Sequence, residues 1–469
     1  MVTNPAVVAL NRFGLGAEPG DVLRIASNPR AALITELDPD VALLDSADLP
    51  ATPDVVAALR QIQMERKTAR AGASDAAPAA PAMDGLQTDM ATAAGDAASG
   101  PPTPDQFYMA EIAARIDRVR QADAGYVERL VAFWTNHFAV EAATGEIERG
   151  LVGAFEREAI RPHVLGRFAD MLDAVTRHPA MLAYLNNETS IGPNSPAGVK
   201  TGRGLNENHA RELMELHTIG VNGGYTQADV IALAKVLSGW SFSRGASDRD
   251  PIGAFVFRAG AHEPGAQTVL GKVYAEGGEN QGQAVLADLA NSPATATHIA
   301  TELARSFVAD DPPASLVARL ATSFQTSGGD LLQLSRDLVA SDEAWQGPGK
   351  FRTPQQFVWA ATRALDVQPK PALIRRVLTT LGQMPWDPPS PAGFDDTSAT
   401  WLAPDAMTSR LDAAEQFAEL ADPTVDPAAL ADDLFGGSIS PKTREAVARA
   451  ESQAQGLALL LMSPEFQRT

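Results

Sequence analysis

Apolar residues recur at spacings of three and four in PDVVAALRQIQMERK, AEIAARIDRVRQ, YVERLVAFWTNHF, ADVIALAKVLSGW, PATATHIATELARSFVA and AALADDLF. That period puts one apolar stripe on each helix and predicts a mainly α protein. A β signal shows in residues 254–274, where Phe255, Phe257, Val269 and Val273 flank a Gly/Pro-rich turn and predict a small β-hairpin. The stretch MPWDPPSPAGFDDTSATWLAPD carries too many prolines for helix. It reads as a long ordered loop bearing Trp386, Phe394 and Trp401, of the kind that lines a pocket or caps a helical core. Residues 71–104 shift to Ala, Gly, Pro, Ser and Asp, with Met83, Leu86 and Met90 as the only large apolar residues. Such a segment buries too little surface to offset its ordering entropy and reads as a disordered Ala-rich insertion.

Composition narrows the function classes. A net charge of −20 makes this an acidic protein and a poor partner for nucleic acid, whose phosphates need clustered Lys and Arg; a local basic patch is the one exception that total leaves open. The absence of cysteine removes disulfides, thiolate zinc sites, Cys nucleophiles and cysteine-ligated iron–sulfur clusters together. MVTNPAVVALNRFGLG lacks the basic and apolar regions of a secretory signal, and no apolar run approaches the roughly 20 residues of a membrane span. The default expectation is a cytoplasmic protein, with export through a partner left open.

The densest chemistry lies in ENHARELMELHTIG, residues 207–220. Asn206 is a good N-cap and Gly220 a good C′ residue for a helix between them. On such a helix Glu207, Asn208, Arg211, Glu212 and Glu215 share one face, Leu213, Leu216 and His209 the other, with His217 on the flank beside Leu213. Glu207, Arg211 and Glu215 form an i,i+4 charge ladder, which accounts for all three with no catalysis. Glu212 and Asn208 are left over. Glu212 and Glu215, three apart, can jointly face a cation or split each other's pKa. The H-E-x-x-H spacing of zinc peptidases is absent, and His209-x-x-Glu212 alone is a weak ligand pair.

Five of the seven histidines remain to be placed. His137 follows aromatic residues in FWTNHF, a context that suits a hydrogen-bonded core residue as well as a ligand. His163 lies in REAIRPH, His178 at a helix start and His298 in a plain helix. His262-Glu263 sits in a turn, from which side chains can point into a site. There is no G-x-S-x-G and no P-loop, and GLGAEPG lacks the glycine spacing of a nucleotide loop. Lys350-Phe-Arg352-Thr-Pro354 is a basic spot before a helix, suited to gripping an anion or simply to solvation.

Several strings together are familiar: LNRFGLGAEPGD, ERLVAFWTNHF, REAIRPHVLGRFADMLDAVTRHPAMLAYLNN, GLNENHARELMELHTIGVNGGYTQADV followed by LSGW, HEPGAQTVLG, KFRTPQQFV, PPSPAGF and LLMSPEFQ. The chain resembles the bacterial family catalogued as domain of unknown function eighteen-hundred, over nearly its whole length, with the Ala-rich stretch as an insertion. The resemblance implies one helical domain over residues 1–469 in place of the three that length alone suggests. It supports Asn206, Glu207, Asn208, Arg211, Glu212, Glu215 and His217 in the central helix, together with Asn136, His137, Arg161, His163, Gly239, Trp240 and His262. Relatives usually carry an aromatic or other non-ligand residue at position 209, which removes His209 from the candidate site. Members of the family are often encoded beside proteins similar to sulfatases and alkaline phosphatases, and some carry export signals.

Two expectations follow. In the first, the chain is a metal-dependent enzyme, a hydrolase or oxidase, built on a Glu/His cluster of the central helix. Glu212, Glu215, Arg211 and Asn208 would be its catalytic residues, and His137, His217 and His262 would hold a divalent metal. In the second, the chain is a scaffold or accessory protein for a sulfatase/phosphatase-like partner, and the central helix is a buried network that locks the fold.

Overall fold

A computed structural model describes residues 4–44, 48–74, 101–245 and 250–469. The expected disordered insertion falls for the most part on residues 75–100, outside the described residues; before it, the helix Thr52–Ser74 runs on past Ala71. The expected mainly α fold is what the described residues form: a succession of helices from Pro5 to Leu461, with two small antiparallel sheets. Many of the 33 prolines serve as first helical residues, where a missing N–H costs nothing: Pro104, Pro293, Pro354, Pro404 and Pro441 all stand there. The helix Pro293–Phe307 is typical. Ser292 caps it by accepting from Ala294 N, and Thr295, Ala296, Ile299, Ala300, Leu303, Ala304 and Phe307 are buried at spacings of three and four. One contiguous hydrophobic cluster takes in residues from Ala6 to Phe466.

The expected β-hairpin resolves into two pairings. Phe255–Phe257 pairs with Trp240–Phe242, in the register Trp240↔Phe257, while Gln267–Val269 pairs with Lys272–Tyr274. The second pair closes on Leu270 and Gly271, both at positive φ (50° and 77°), the two-residue turn that matches strand twist. Such a turn closes at little entropic cost, and Phe255 is meanwhile held by the edge of the buried Trp240 ring at 5.2 Å.

The central helix is shorter than its caps suggested: it spans Asn208–Glu215. Asn206 accepts from Asn208 N at 2.9 Å, so the chain turns before the helix begins. At the other end, Leu216 N and His217 N both reach the Glu212 carbonyl, at 2.9 and 3.0 Å, and the Thr218 hydroxyl takes the Leu213 carbonyl. Gly220, at φ 80°, closes the segment onto the Met214 carbonyl. The charge ladder is present on its outer face, with Arg211 3.2 Å from Glu207 and 3.5 Å from Glu215.

On the inner face His209 is fully buried, and neither ring nitrogen has a hydrogen-bond partner. Burial lowers its pKa from 6.5 to about 4. Between those values the unfolded chain binds the proton and the native chain does not, so stability falls as pH drops below 6.5. We expect His209→Leu to remove about 2 kcal/mol of acid destabilisation at pH 5 while leaving pH 7.5 stability unharmed, as read from urea unfolding at both values. A pH dependence identical to wild type would contradict this.

Charges are buried elsewhere too. Arg161, within the string IRPH, is enclosed between two carboxylates: it reaches both oxygens of Glu128 at 2.8 Å and Glu156 at 2.9 Å. Arg118 bonds Glu128 at 3.2 Å, and Arg115 and Trp386 Nε1 each bond Glu156 at 3.0 Å. The basic spot before Pro354 is also interior. Lys350 Nζ donates to the Arg305 carbonyl at 2.7 Å and to the Asp396 carbonyl, while Arg352 donates to Asn11 Oδ1.

Candidate functional site

Two helices place the site. Tyr126–His137 is buried nearly all round, so its position is fixed by packing on every side, and Glu36 caps its start by accepting from Gly125 N at 2.9 Å. Its last residue, His137, meets Glu302 of the helix Pro293–Phe307, whereas Arg129, about two turns earlier, lies over the Phe307 ring at 5.1 Å. The two helices therefore run antiparallel. Between them, the start of the helix Pro354–Ala364 and the loop 383–397 enclose a cleft of about 530 Å³.

The proline-rich loop forms a wall of this cleft. Asn136 holds it as a strand neighbour would: its Nδ2 donates to the Phe394 carbonyl at 3.0 Å and its Oδ1 accepts from Phe394 N at 2.8 Å. The approach requires glycine next door. Gly393 has φ 79°, and a Cβ there would lie 2.4 Å from the Asn136 carbonyl oxygen. The Tyr108 hydroxyl donates to the Pro385 carbonyl at 2.5 Å and fixes the other end.

His137 and Glu302, which line the cleft, and His298 beside them each offer a ligand atom, all within 4.8 Å of one another. His137 Nδ1 is 2.7 Å from Glu302 Oε2 and His298 Nε2 is 3.4 Å from Oε1. Burial alone would raise the Glu302 pKa; His137, with His298 and Arg305, outweighs it and holds the carboxyl below its ordinary value. The segment just after the central helix supplies the backing. The His217 carbonyl lies 3.3 Å from His137 Nε2, and the Leu216 carbonyl lies 2.9 Å from His298 Nε2. His137 thus faces an acceptor on each ring nitrogen. An uncharged imidazole has one N–H; placed on the His217 carbonyl, it leaves Nδ1 with a lone pair that can serve a cation.

Three arginines also line the cleft: Arg115, Arg129 and Arg305. Arg115 is sandwiched between the rings of Trp359 and Trp386, at 5.3 and 4.8 Å. Arg129 donates to the Gly14 carbonyl at 3.3 Å. Arg115 Nε and Arg129 Nη2 are buried with no hydrogen-bond partner. Burial lowers Arg129 to about 10.

Of the residues singled out by sequence, His137 lies in the group and lines the cleft. His217 is buried against it, ring centroids 6.1 Å apart, with Nε2 unpartnered; burial first, then the nearby histidines, hold its pKa well below 6.5 and the ring neutral. His262 is placed elsewhere: its Nδ1 is 3.0 Å from the Ser238 carbonyl and its ring meets the Phe257 edge. Asn208 is exposed, and Arg211 is occupied by Glu207, Glu215 and Gln227. Glu212 is half-buried, its pKa raised by burial and by Glu215. Neither these two carboxylates nor Asn208 and Arg211 are among the residues lining the cleft.

Sequence reasoning left His298 as a plain helix residue and did not single out Glu302 and Arg305. The signal was there: positions 298, 302 and 305 share one face of a helix whose opposite face is wholly apolar.

The family description "Protein of unknown function (DUF1800)" matches residues 8–468. No curated protein and no solved structure matches the chain. Spanning the buried arginines, the cleft and its His/Glu group in one continuous match, that family is the one to which this chain belongs.

Proposed function

We propose that the cleft is the active site of a metal-dependent enzyme, with a divalent cation held by His137, His298 and Glu302. The observation that carries this reading is the convergence of two imidazoles and one carboxylate, of which His137 and Glu302 line the cleft and His298 lies behind them, with a carbonyl behind His137 Nε2. Metal-ligating histidines ordinarily donate their second N–H in this way, which fixes the tautomer and the ring. Two histidines and a carboxylate leave coordination positions open toward the cleft, the mark of a catalytic site as against a closed structural one. A cation so placed would lower the pKa of a bound water and supply a nucleophile for hydrolysis where the chain offers no cysteine. The segment just after the central helix contributes through the His217 carbonyl, which orients the His137 ring.

Metal analysis of tag-free protein tests the reading. We expect about one divalent cation per chain in wild type, and loss of at least nine-tenths of it in Glu302→Gln and in His298→Ala. Glu212→Gln and His217→Ala are measured beside them. Loss of metal in those two with retention in Glu302→Gln would move the centre to the central helix; equal content in all five proteins would remove it.

A further inference from the structure

We infer that the stretch of the cleft beyond the His/Glu group, toward Phe307, binds the anionic group of a small-molecule substrate, carboxylate or phosphate, through Arg129 and Arg305. The inference rests on the reading of the cleft as the active site and adds its substrate class.

The geometry comes from the antiparallel helix pair. Arg129 lies eight residues before His137, about 12 Å along the helix, and Arg305 lies one turn beyond Glu302 on the partner helix. Both arginines line the cleft: Arg129 stands away from the imidazole and the carboxylate, and Arg305 is closer, its charge acting on Glu302. Arg129 is only 3 % exposed, yet its Nη2 donates to nothing. An orphaned donor on a buried cation is costly, and such groups ordinarily meet a partner. Arg129 instead stacks on Phe307 and gives one N–H to a carbonyl. Asp396 acts on it through its charge, but forms no ion pair with it among the described residues. Arg352, outside the cleft lining, is likewise fully buried with Nε and Nη1 unpartnered, and repelled by the charge of Arg129. A buried guanidinium that lines a cleft with an N–H to spare suits an anion brought by a ligand. A polyanion is too large for a cleft of about 530 Å³, and a net charge of −20 repels it. A small anion with a reactive bond on its other end fits the arginines and the His/Glu group at once.

Isothermal titration of the tag-free full chain with sodium phosphate and with sodium acetate, against sodium chloride at equal ionic strength, tests the inference. We expect saturable binding of one anion per chain by at least one of the two, weakened tenfold or more in Arg129→Met and in Arg305→Met. Phosphate alone would identify a phosphoryl substrate and acetate alone a carboxylate. The half-exposed Arg305 keeps the test decisive if Arg129→Met fails to fold. Metal content is read in parallel: anion binding by a chain without cation would leave this inference standing and remove the one above. No saturable binding of either anion, or unchanged affinity in Arg305→Met and in folded Arg129→Met, would overturn it.

Discussion

Arg161→Met is expected to cost about 3–5 kcal/mol of stability, enough to leave the protein largely unfolded at modest urea concentrations. The guanidinium sits with no solvent exposure between Glu128 and Glu156, whose side chains are 2 % and 3 % exposed. Burial works against the charge on Arg161, and the two carboxylates more than reverse it. For Glu156 burial likewise raises the pKa, but Arg115 and Arg161 together bring it below the ordinary carboxylate value. Methionine keeps the unbranched apolar stem of arginine without its charge, and leaves Glu128 with Arg118 alone, and Glu156 with Arg115 and its neutral donors. An uncompensated buried carboxylate is the costly species, not the missing arginine. Glu128→Gln in the Arg161→Met background should therefore recover part of the loss, which urea unfolding of the four proteins measures as a coupling energy. The sign with pH is fixed as well. Glu156 stabilises the fold at pH above its unfolded value of 4.5, and that part is lost as pH falls through its lower folded value. Additive single and double variants would show that the pair is held by its surroundings and not by Arg161.

Gly14→Ala is expected to cost about 3 kcal/mol, although φ at this position is an ordinary −94°. Space is the constraint. A Cβ would stand 2.2 Å from the Ala124 carbonyl oxygen and 2.7 Å from that of Leu10, both backbone atoms that cannot swing aside. Relief means breaking the bonds Leu15 N to Ala124 O at 3.0 Å and Gly16 N to Leu10 O at 2.8 Å, which pin this segment to the turn before the helix Tyr126–His137. Arg363 clamps the same junction by donating to the carbonyls of Gly16, Val119, Ala122 and Asp123. Gly20→Ala is the control: at φ 87° with nothing within 4 Å, it pays conformational strain alone, about 1 kcal/mol. Equal unfolding midpoints for the two variants would reject the steric account.

The helices were legible because a period of three and four survives in the chain whatever packs against it, as the helix Pro293–Phe307 shows. The proline-rich loop was legible as an ordered wall for the converse reason, its aromatic residues being too many for solvent. The His/Glu group was not. His137 and Glu302 are 165 residues apart, and no local pattern records which helix packs against which. The central helix drew attention for its density of charge, yet that density marks an outward face, with the Glu207–Arg211–Glu215 ladder partly open to solvent. Burial misled in the other direction. Arg129, Arg161 and Arg352 have the composition of surface residues and are all interior. Lys350 and Arg352, weighed as a solvated spot or an anion grip, instead tie the helix Pro293–Phe307 and the chain near Asn11 to the last part of the fold.

Asn136 and His137 are consecutive, one fastening the loop 383–397 and the other sharing Glu302. Nothing but a single peptide link separates the two tasks. Were a cation held at His137 as proposed, it and a compound that orders the loop would be thermodynamically linked: whatever factor the compound added to the hold on the cation, the cation would return to the compound.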